Sequence, residues 1–545
     1  MTATPLLAVQ DLSITYAGSD YPAVKNVSFV VNQGEKLALV GESGCGKSTL
    51  GRSILQLLPP HTQCQGAIAF EGSNVLAMDG RAWRRFRGEV VSLVFQDPMT
   101  RLNPLMTIGD HCLETLQAHQ PELSRPVAKQ RALDCLERVK IPASRWNQYA
   151  HEFSGGMRQR VAIALALLLK PKLILADEPT TALDVTVAAE ILAELTRLCA
   201  EDNVGLLLIS HDLAMVGEHC DRLAVMNGGE IVEMGVASEI LRQPHHPYTQ
   251  TLLAAALHPV QTPVDFPEAL PEQPLLKLQN VQQYFSLEGN LLQSLFQQER
   301  QWIKAVDGID LDIFPGETVG LVGESGCGKS TLSRTILQLL PPTTGQVMFE
   351  GEDLTQLSAH QMRAKRRQLQ MIFQDPNACL NPMMTVGQSI ADPLIVHGLG
   401  TREEIKNQVM AMLERVELTP AADYVNRFPR QLSGGQQQRV AIARALITNP
   451  KFVICDEPVS MLDARVQSQV LTLMQELKRA FKLTYLFITH DLWVARAFCD
   501  RIAVMYQGKI VELGETESLF THPQHPYTQT LLAAAPALLV SAASP

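Results

Sequence analysis

Short apolar runs that end at polar residues or at glycine-rich turns recur along the chain. Continuous apolar runs of this length are typical of strands buried on both faces. They are LALV (37–40), LILAD (173–177) and GLLLIS (205–210), and then VGLV (319–322), FVICD (452–456) and TYLFIT (484–489). Helical stretches separate them, which predicts a mostly parallel sheet covered on both faces by helices.

The pattern occurs twice. Residues 41–60 and 323–342 agree at 18 of 20 positions at an offset of 323 − 41 = 282, and HPYTQTLLAAA begins at both His246 and His525. Two copies of so long a unit indicate two homologous domains rather than a stacked array. We predict domains at 1–256 and 275–545, joined by a linker at 257–274 whose proline content favours an extended tether.

Antiparallel additions frame each predicted sheet. Alternating segments lie near the start of each repeat, and 224–235 and 503–514 have the glycine turns of hairpins. The predicted fold class is α/β.

Composition narrows the possible functions. The 545 residues carry 46 Lys plus Arg and 56 Asp plus Glu, a net charge of −10, the opposite of a nucleic-acid binder. The ten cysteines are scattered without a CxxC pair, which favours a reducing cytoplasm.

The N-terminus lacks the features of a secretory signal, and the most apolar stretch, 531–543, falls short of the ~20 residues that span a bilayer. Peripheral membrane association stays open.

Both repeats contain G-x-x-x-x-G-K-[ST] between a strand and a helix, which predicts a phosphate cradle. Backbone amides would face the phosphates, Lys47 or Lys329 would reach the terminal ones, and Ser48 or Ser330 would ligate Mg²⁺. An ordinary glycine turn is the alternative, which the second copy makes negligible. The predicted ATP-binding residues are Gly41, Glu42, Ser43, Gly44, Cys45, Gly46, Lys47, Ser48, Thr49, Gly323, Glu324, Ser325, Gly326, Cys327, Gly328, Lys329, Ser330 and Thr331.

Two buried strands end in Asp followed by Glu. Asp177 and Asp456 are predicted near Mg²⁺, which leaves Glu178 and Glu457 to polarise an attacking water. Alone, such a strand end is more often a solvated cap. Downstream of a phosphate-binding loop it predicts a hydrolase.

SGGMRQR (154–160) and SGGQQQR (433–439) each open a long apolar helix. A serine cap followed by glycines presents bare amides to an anion. The alternative is a flexible helix start. These residues are Ser154, Gly155, Gly156, Ser433, Gly434 and Gly435.

The order of all these motifs resembles the nucleotide-binding domain of ABC ATPases. Gln96 and Gln374 precede the SGG segments, and Asp184 and Asp463 follow the acidic strand ends. His211 and His490 come next, each 34 residues after the strand-end aspartate. The resemblance covers nearly the whole chain except the linker and the extreme ends.

The resemblance implies two composite ATP sites formed by intramolecular pairing, in which Lys47 is opposed by Ser433 and Lys329 by Ser154. Glu178 and Glu457 would be general bases. Gln96 and Gln374 would contact Mg²⁺ and the water, and His211 and His490 would hold the terminal phosphate. The predicted Mg²⁺ ligands are Ser48, Asp177, Gln96, Ser330, Asp456 and Gln374. Asp184 and Asp463 would lie at the seam between the two halves, where Met461 replaces a residue that is usually small in this family.

An aromatic residue before the loop stacks on adenine in this family. Tyr16 is placed for it, and in the second half Phe285 aligns with Tyr16, with Tyr284 as its rival and simple core packing as the alternative. Cys45 and Cys327 are predicted to be small packing residues rather than a redox switch. The histidines around HPYT predict a turn leading into a helix rather than a metal site.

Both halves resemble the peptide and nickel importer branch, which includes dipeptide, oligopeptide, glutathione and microcin-type importers. FQDPMTRLNP (95–104), FQDPNACLNP (373–382) and the HPYT segments carry this resemblance. It implies a fused tandem ATP-binding subunit at the cytoplasmic face of the inner membrane. Two permease subunits would dock near 96–110 and 374–388, and a periplasmic or extracellular solute-binding protein would deliver cargo. The cysteine-rich extension of many relatives is missing, so no iron–sulfur cluster is expected.

Two other classes of protein are alternatives to a transport ATPase. A soluble twin ABC ATPase acting on ribosomes or nucleic acid would have a long charged helical linker, or coiled-coil or zinc-binding insertions, and the sequence shows none. A nucleotide-gated scaffold would be favoured by loss of Glu178 or Glu457, and both are present.

Overall fold

The computed structural model describes residues 4–96, 101–180, 183, 185–257, 273–286 and 302–533. They form two compact units, one made mainly of the residues up to 257 and the other of most residues from 273 onwards. Most of the predicted linker, 257–274, lies outside the described residues, and the predicted domain boundaries stay predictions.

The first unit alternates strands and helices. Its elements are β1 (Leu7–Thr15), β2 (Val24–Val31), β3 (Lys36–Val40), α1 (Lys47–Ile54), β4 (Gln63–Phe70), β5 (Ser73–Asn74), α2 (Gly80–Arg85), β6 (Val91–Val94), α3 (Ile108–His119), α4 (Arg125–Arg138), α5 (Gly155–Leu167), β7 (Leu173–Asp177), α6 (Val185–Glu201), β8 (Gly205–Ser210), α7 (Leu213–Gly217), β9 (Arg222–Asn227), β10 (Glu230–Val236), α8 (Ala237–Arg242) and α9 (Pro247–Leu257).

The strands of the first unit form two sheets. One is antiparallel, in the order β2-β1-β4-β5, and the other has the order β10-β9-β3-β8-β7-β6. In the larger sheet every neighbouring pair is parallel except β9 and β10, which form the predicted hairpin. The predicted parallel core with an antiparallel addition is confirmed.

The second unit repeats this succession. Its elements are β11 (Leu276–Ser286), β12 (Trp302–Ile313), β13 (Thr318–Val322), α10 (Lys329–Ile336), β14 (Thr344–Phe349), β15 (Glu352–Asp353), α11 (Ala359–Lys365), β16 (Leu369–Ile372), α12 (Pro376–Cys379), α13 (Val386–His397), α14 (Arg402–Arg415), α15 (Ala421–Tyr424), α16 (Gly434–Leu446), β17 (Phe452–Asp456), α17 (Ala464–Phe481), β18 (Thr484–Thr489), α18 (Leu492–Phe498), β19 (Arg501–Tyr506), β20 (Lys509–Glu515), α19 (Thr516–Thr521) and α20 (Pro526–Ala533).

Its sheets follow the same plan. The antiparallel sheet has the order β12-β11-β14-β15, and the larger sheet has the order β16-β17-β18-β13-β19-β20. Only β20 runs antiparallel to its neighbour in the larger sheet. The two units therefore share one topology, as the duplication predicts.

The core lies on both faces of each parallel sheet because successive side chains of a strand point in opposite directions. In β3, Leu37 and Leu39 join a cluster with the antiparallel sheet and α1. Ala38 and Val40 join the opposite cluster, which includes buried residues of the helical region α3–α5. Equivalent clusters form in the second unit.

None of the helices that the structure describes combines the length and the apolar composition that crossing a bilayer requires.

Candidate active sites

The strand order brings the chemically active segments of each unit to one edge. Parallel strands place their carboxyl ends together. In the first unit β3 leads into the glycine-rich loop, β8 leads to His211, β7 ends at Asp177, and β6 leads to Gln96. Strands β13, β18, β17 and β16 do the same in the second unit. The strand order therefore brings the predicted site residues of each unit close together at one edge of its sheet.

Each glycine-rich loop ends at a glycine that no other residue could replace without strain. Gly46 has a left-handed backbone with φ of 103° and caps α1, and Gly328 has φ of 112° and caps α10. A Cβ at these positions would approach the carbonyl oxygens of Ala23 and Ala305 to 2.3 and 2.0 Å. Glycine therefore satisfies both the backbone conformation and the close approach.

The loop lysines are buried and held by the loop itself. Lys47 Nζ donates hydrogen bonds to the carbonyl oxygens of Gly41 at 2.7 Å and Glu42 at 2.8 Å. Lys329 Nζ makes the same contacts with Gly323 at 2.6 Å and Glu324 at 2.9 Å. An ammonium group has three N–H donors, so each lysine retains one beyond these two carbonyls.

The predicted magnesium ligands meet at the same edge. Ser48 Oγ donates to Asp177 Oδ1 at 2.8 Å, and Ser330 hydrogen-bonds to Asp456. Burial raises the pKa of both aspartates, the charge of the following glutamate adds to the rise, and the serine hydrogen bond opposes it. Each site thus pairs a serine hydroxyl with a buried carboxylate, an oxygen donor set of the kind that Mg²⁺ prefers, so these residues fit such an ion.

Each strand-end glutamate accepts contacts from two predicted partners. Gln96 Nε2 donates to Glu178 Oε2 at 2.8 Å, and His211 Nδ1 lies 3.5 Å from that oxygen. In the second unit Gln374 Nε2 donates to Glu457 Oε2 at 2.8 Å, and His490 Nδ1 lies 3.1 Å from it. Glutamine, glutamate and histidine thus form the same arrangement twice.

Both glutamates have left-handed backbones, a feature that the sequence analysis missed. The φ angles of Glu178 and Glu457 are 48° and 46°. Their amides donate to the carbonyls of Ile209 and Ile488, at 2.9 Å in each case, which ties them to β8 and β18. Such a conformation costs a non-glycine residue about 1–3 kcal/mol and is typical of functional sites. No residue type in the local sequence signals it.

The histidines are held in a charge-sensitive environment. Burial disfavours the imidazolium form, but the hydrogen bond to the glutamate and its charge outweigh burial and raise the pKa of both His211 and His490. Burial likewise opposes ionisation of Glu457, yet the contact with His490 holds the pKa of that carboxyl below its usual value. Each histidine and glutamate therefore act as a paired unit.

The SGG serines cap their helices as predicted. Ser154 accepts a hydrogen bond from the amide of Met157 at the start of α5, and Ser433 accepts one from the amide of Gln436 at the start of α16. Only in the second unit does the third helical residue return the contact, since the Gln436 side chain accepts from the Ser433 amide at 3.0 Å. Gly155, Gly156, Gly434 and Gly435 form the first turns.

The predicted adenine-stacking residues differ between the units. The Tyr16 hydroxyl hydrogen-bonds with that of Thr49 at 2.9 Å, which places it beside α1. Phe285 is 38% exposed, and its rival Tyr284 donates through its hydroxyl to Asp307. Of the insertion after Phe285, residues 287–301 lie outside the described part of the chain.

Three further predictions concern the seam and the histidines. Asp184 lies outside the described residues, whereas Asp463 is half-buried just before α17, and Met461 is 58% exposed. The HPYT segments open helices α9 and α20 at Pro247 and Pro526, so the predicted turn leading into a helix is confirmed. Within the described ranges no group of three or more His, Cys, Asp or Glu is arranged to hold a metal ion.

Residues 24–181 and 306–460 match the protein family described as ABC transporter. Residues 232–278 and 511–543 match the family described as oligopeptide/dipeptide transporter, C-terminal region. The chain therefore belongs to the ABC transporter family, and each half has its own copy of both regions.

Individual relatives are similar over almost the whole chain. Glutathione import ATP-binding protein GsiA of Pectobacterium atrosepticum is 41% identical, covering 97% of this chain and 89% of that protein. The protein of the same name from Salmonella typhimurium is 42% identical with the same coverage. A solved dimeric ATP-binding cassette in a post-hydrolysis state, bound to ADP and Pi, is 33% identical, with a TM-score of 0.39 over 44% of this chain and 98% of that one.

The predicted class is thereby confirmed. The chain is a fused tandem ATP-binding subunit of the peptide-type ABC transporter family, an ATPase that energises a membrane transporter for peptide-like solutes. The soluble twin ATPase is not favoured.

Proposed function

We propose that both halves bind ATP with Mg²⁺ and hydrolyse it, and that neither site is degenerate. The observation that carries this proposal is the doubled arrangement of Gln96, Glu178 and His211, with Gln374, Glu457 and His490 in the second unit. Losing any of these residues from one half would make that half inactive. Both halves retain all three.

The glutamates act as general bases in this proposal. Glu178 or Glu457 takes a proton from the attacking water at a carboxylate oxygen, while the glutamine amide and the histidine Nδ1 fix the orientation of that carboxylate. The histidine also holds the terminal phosphate. A bound Mg²⁺, held by the serine and aspartate of each site with the glutamine, supplies positive charge that stabilises the phosphoryl oxygens.

The lysines position the phosphates. With two N–H donors on loop carbonyls, the third donor of Lys47 faces the Cys45 sulfur at 3.7 Å, and that of Lys329 faces the Cys327 sulfur at 3.8 Å. Sulfur is a weak acceptor, so a phosphate oxygen would replace it readily. The roles of Ser154, Ser433, Asp184 and Asp463 in composite sites stay predictions from the family resemblance.

Two membrane permease subunits are the proposed partners. In the predicted docking segments, Leu105 is 85% exposed just before α3, and Met383 is 82% exposed just before α13. That the same position is exposed and apolar in both halves supports the docking segments that the family resemblance predicts. We place the chain peripherally at the cytoplasmic face of the inner membrane, where permeases would be reached.

The proposed cargo is glutathione or a peptide of similar size, imported with the help of a solute-binding protein. The named relatives are glutathione import proteins, and their similarity extends over both halves. Permeases and the solute-binding protein select the cargo, so the cargo is tested with them rather than with this chain alone.

The test is ATP hydrolysis by the purified chain, alone and with candidate permeases in lipid vesicles. We expect permeases to stimulate the rate and Glu178→Gln with Glu457→Gln to lower it by about 10²- to 10⁴-fold. Uptake of labelled glutathione into the same vesicles, with dipeptides as competitors, tests the cargo. A rate of ATP hydrolysis that the permeases do not change, or that the double substitution does not lower, would refute the proposal.

A further inference from the structure

The tyrosine of each HPYT segment reaches back to the glycine-rich loop of its own unit. The Tyr248 hydroxyl accepts a hydrogen bond from the Glu42 amide at 3.1 Å, across 206 residues of sequence. The Tyr527 hydroxyl accepts one from the Glu324 amide, also at 3.1 Å. The contact is therefore duplicated with the rest of the site.

The same peptide group is held from its other side by the loop lysine. The Glu42 amide belongs to the peptide bond whose oxygen, on Gly41, accepts from Lys47 Nζ at 2.7 Å. The Gly323–Glu324 peptide is likewise held between Lys329, at 2.6 Å, and Tyr527. Because a peptide is planar, fixing its N–H also fixes the direction of its C=O. The tyrosine hydroxyl thus fixes the direction of the Gly41 or Gly323 carbonyl that accepts the hydrogen bond of the lysine.

A short chain of contacts positions each tyrosine. The Glu233 carboxylate, on the edge strand β10, accepts from the amides of His245 at 2.8 Å and His246 at 3.1 Å. The Tyr248 amide in turn donates to His246 Nδ1 at 3.2 Å. The turn at His245 and His246 therefore places the Tyr248 ring beside the glycine-rich loop, although the turn itself lies outside the parallel strands.

The second unit builds the same turn from its own residues. Glu512 accepts from the amides of Gln524 and His525, and the Tyr527 amide donates to His525 Nδ1 at 3.2 Å. Here Tyr506 also packs on the Tyr527 ring, with ring centroids 4.2 Å apart.

The chemistry of the hydroxyl suits this task. Burial raises the pKa of Tyr248 to about 12, so the phenol stays neutral and keeps an oxygen that accepts a hydrogen bond. A partly buried amide that loses its acceptor is destabilised unless water replaces it. Phenylalanine would retain the ring and its packing but leave the amide without this acceptor.

We propose that Tyr248 and Tyr527 are positioning residues for ATP binding, through which the HPYT segment orients the phosphate-binding loop and its lysine. This inference rests on the proposed role of that loop in holding phosphate. It gives the oligopeptide-type C-terminal region a function inside its own half.

The test uses the full chain with one site silenced. In a Lys47→Ala background, equilibrium binding of radiolabelled ATP reports the second site, and we expect Tyr527→Phe to raise its Kd by about 3- to 10-fold. Tyr485→Phe is the matched control. Its buried hydroxyl donates to the Met474 carbonyl at 3.2 Å, in the same unit but away from the loop.

A second comparison separates positioning from general destabilisation. If the tyrosine acts through the lysine, Tyr527→Phe should raise the Kd by a smaller factor when Lys329→Arg, which keeps the charge but not the geometry of the contact, is also present in the Lys47→Ala background. An unchanged Kd in Tyr527→Phe, an equal rise in Tyr485→Phe, or the same factor with Lys329→Arg as with Lys329 would overturn the inference. Should Tyr527→Phe not fold, Tyr248→Phe in a Lys329→Ala background repeats the test.

Failure of the underlying proposal would look different. If Lys47→Ala combined with Lys329→Ala left ATP binding intact, the proposed role of the loops would be wrong, whatever the tyrosine variants do.

Discussion

The two halves of the chain are nearly identical around the predicted catalytic glutamates and differ around the predicted adenine. The glutamine–glutamate hydrogen bond is 2.8 Å in both, and the lysine contacts differ by 0.1 Å. On the other side of the loop, Tyr16 bonds to Thr49, whereas the corresponding stretch of the second half directs Tyr284 to Asp307 and leaves Phe285 exposed.

The difference follows the two kinds of sheet. The catalytic residues leave a parallel sheet whose strands pair in continuous register. The aromatic residues lie at the end of antiparallel strands, where β1 and β2 show two register irregularities and β11 and β12 show three. A continuous ladder holds the catalytic residues of both units in the same places, whereas an irregular register redirects the side chains that follow it.

The most demanding test of the symmetry is to remove one general base at a time. We expect Glu178→Gln and Glu457→Gln to lower permease-stimulated hydrolysis by similar factors, about 100-fold or more, because both carboxylates have the same contacts and the family resemblance predicts that the sites work together. Glu230→Gln, an exposed change of equal charge, is the control. A silent variant at one site would show that the halves are functionally unequal.

The next largest effect is expected at the loop glycines. Gly46→Ala and Gly328→Ala combine a left-handed backbone with a backbone clash, and about 2 kcal/mol of strain corresponds to a roughly 30-fold weaker affinity. Equilibrium ATP binding measures it. Gly44→Ala in the same loop, with φ of 82° and open space around the Cβ, separates backbone strain from the clash. ATP affinity that is unchanged in both loop variants would show that the loops tolerate displacement.

The predicted adenine-stacking residues should have different effects in the two halves. Tyr16→Ala is expected to weaken ATP binding at the first site by about tenfold, the typical value of aromatic stacking on a base. At the second site, Phe285→Ala should weaken binding and Tyr284→Ala should not, since Lys304 Nζ already lies over the Tyr284 ring, 5.4 Å from its centroid. Titrations with the opposite loop lysine removed isolate each site. The reverse ranking of the two variants would assign stacking to Tyr284.

The smallest expected effect lies at the SGG helices. Gln436→Met removes the returning hydrogen bond of the cap, and Met157→Gln offers it to the first unit. One such bond contributes about 0.5–1 kcal/mol, or a two- to fivefold change in amide exchange at the first helical turn. Exchange should quicken in α16 of the first variant and slow in α5 of the second. Equal exchange in both variants would show that the returning hydrogen bond does not stabilise these helices.

The sequence predicted the parts of the fold that depend on local pattern. LILAD and FVICD have the bounds of β7 and β17, because a strand buried on both faces must be apolar until it meets the site. Helices α1 and α10 begin at the predicted lysines for a similar reason, since the glycine before each allows the left-handed turn.

Features that depend on distant parts of the chain could not be predicted in this way. The meeting of Gln96 with Glu178 follows from the order of strands, which one sequence does not state. The left-handed backbone of Glu178 depends on its bond to Ile209, and the contact of Tyr248 with Glu42 joins segments 206 residues apart. The HPYT segment correctly predicted a turn that leads into a helix. Nothing in its sequence indicated that the Tyr248 hydroxyl would accept a hydrogen bond from the Glu42 amide.

The unusual backbone of Glu178 and Glu457 also bears on how this transporter would be captured for imaging. A trapped complex needs a chain that retains nucleotide without consuming it, and the replaced side chain must tolerate the φ angle near +47°. Glutamine keeps the shape and the anchoring contacts of the original, whereas valine or threonine would add branched-side-chain crowding to a backbone already strained. Paired glutamine substitutions are therefore the sound choice for preparing a homogeneous sample.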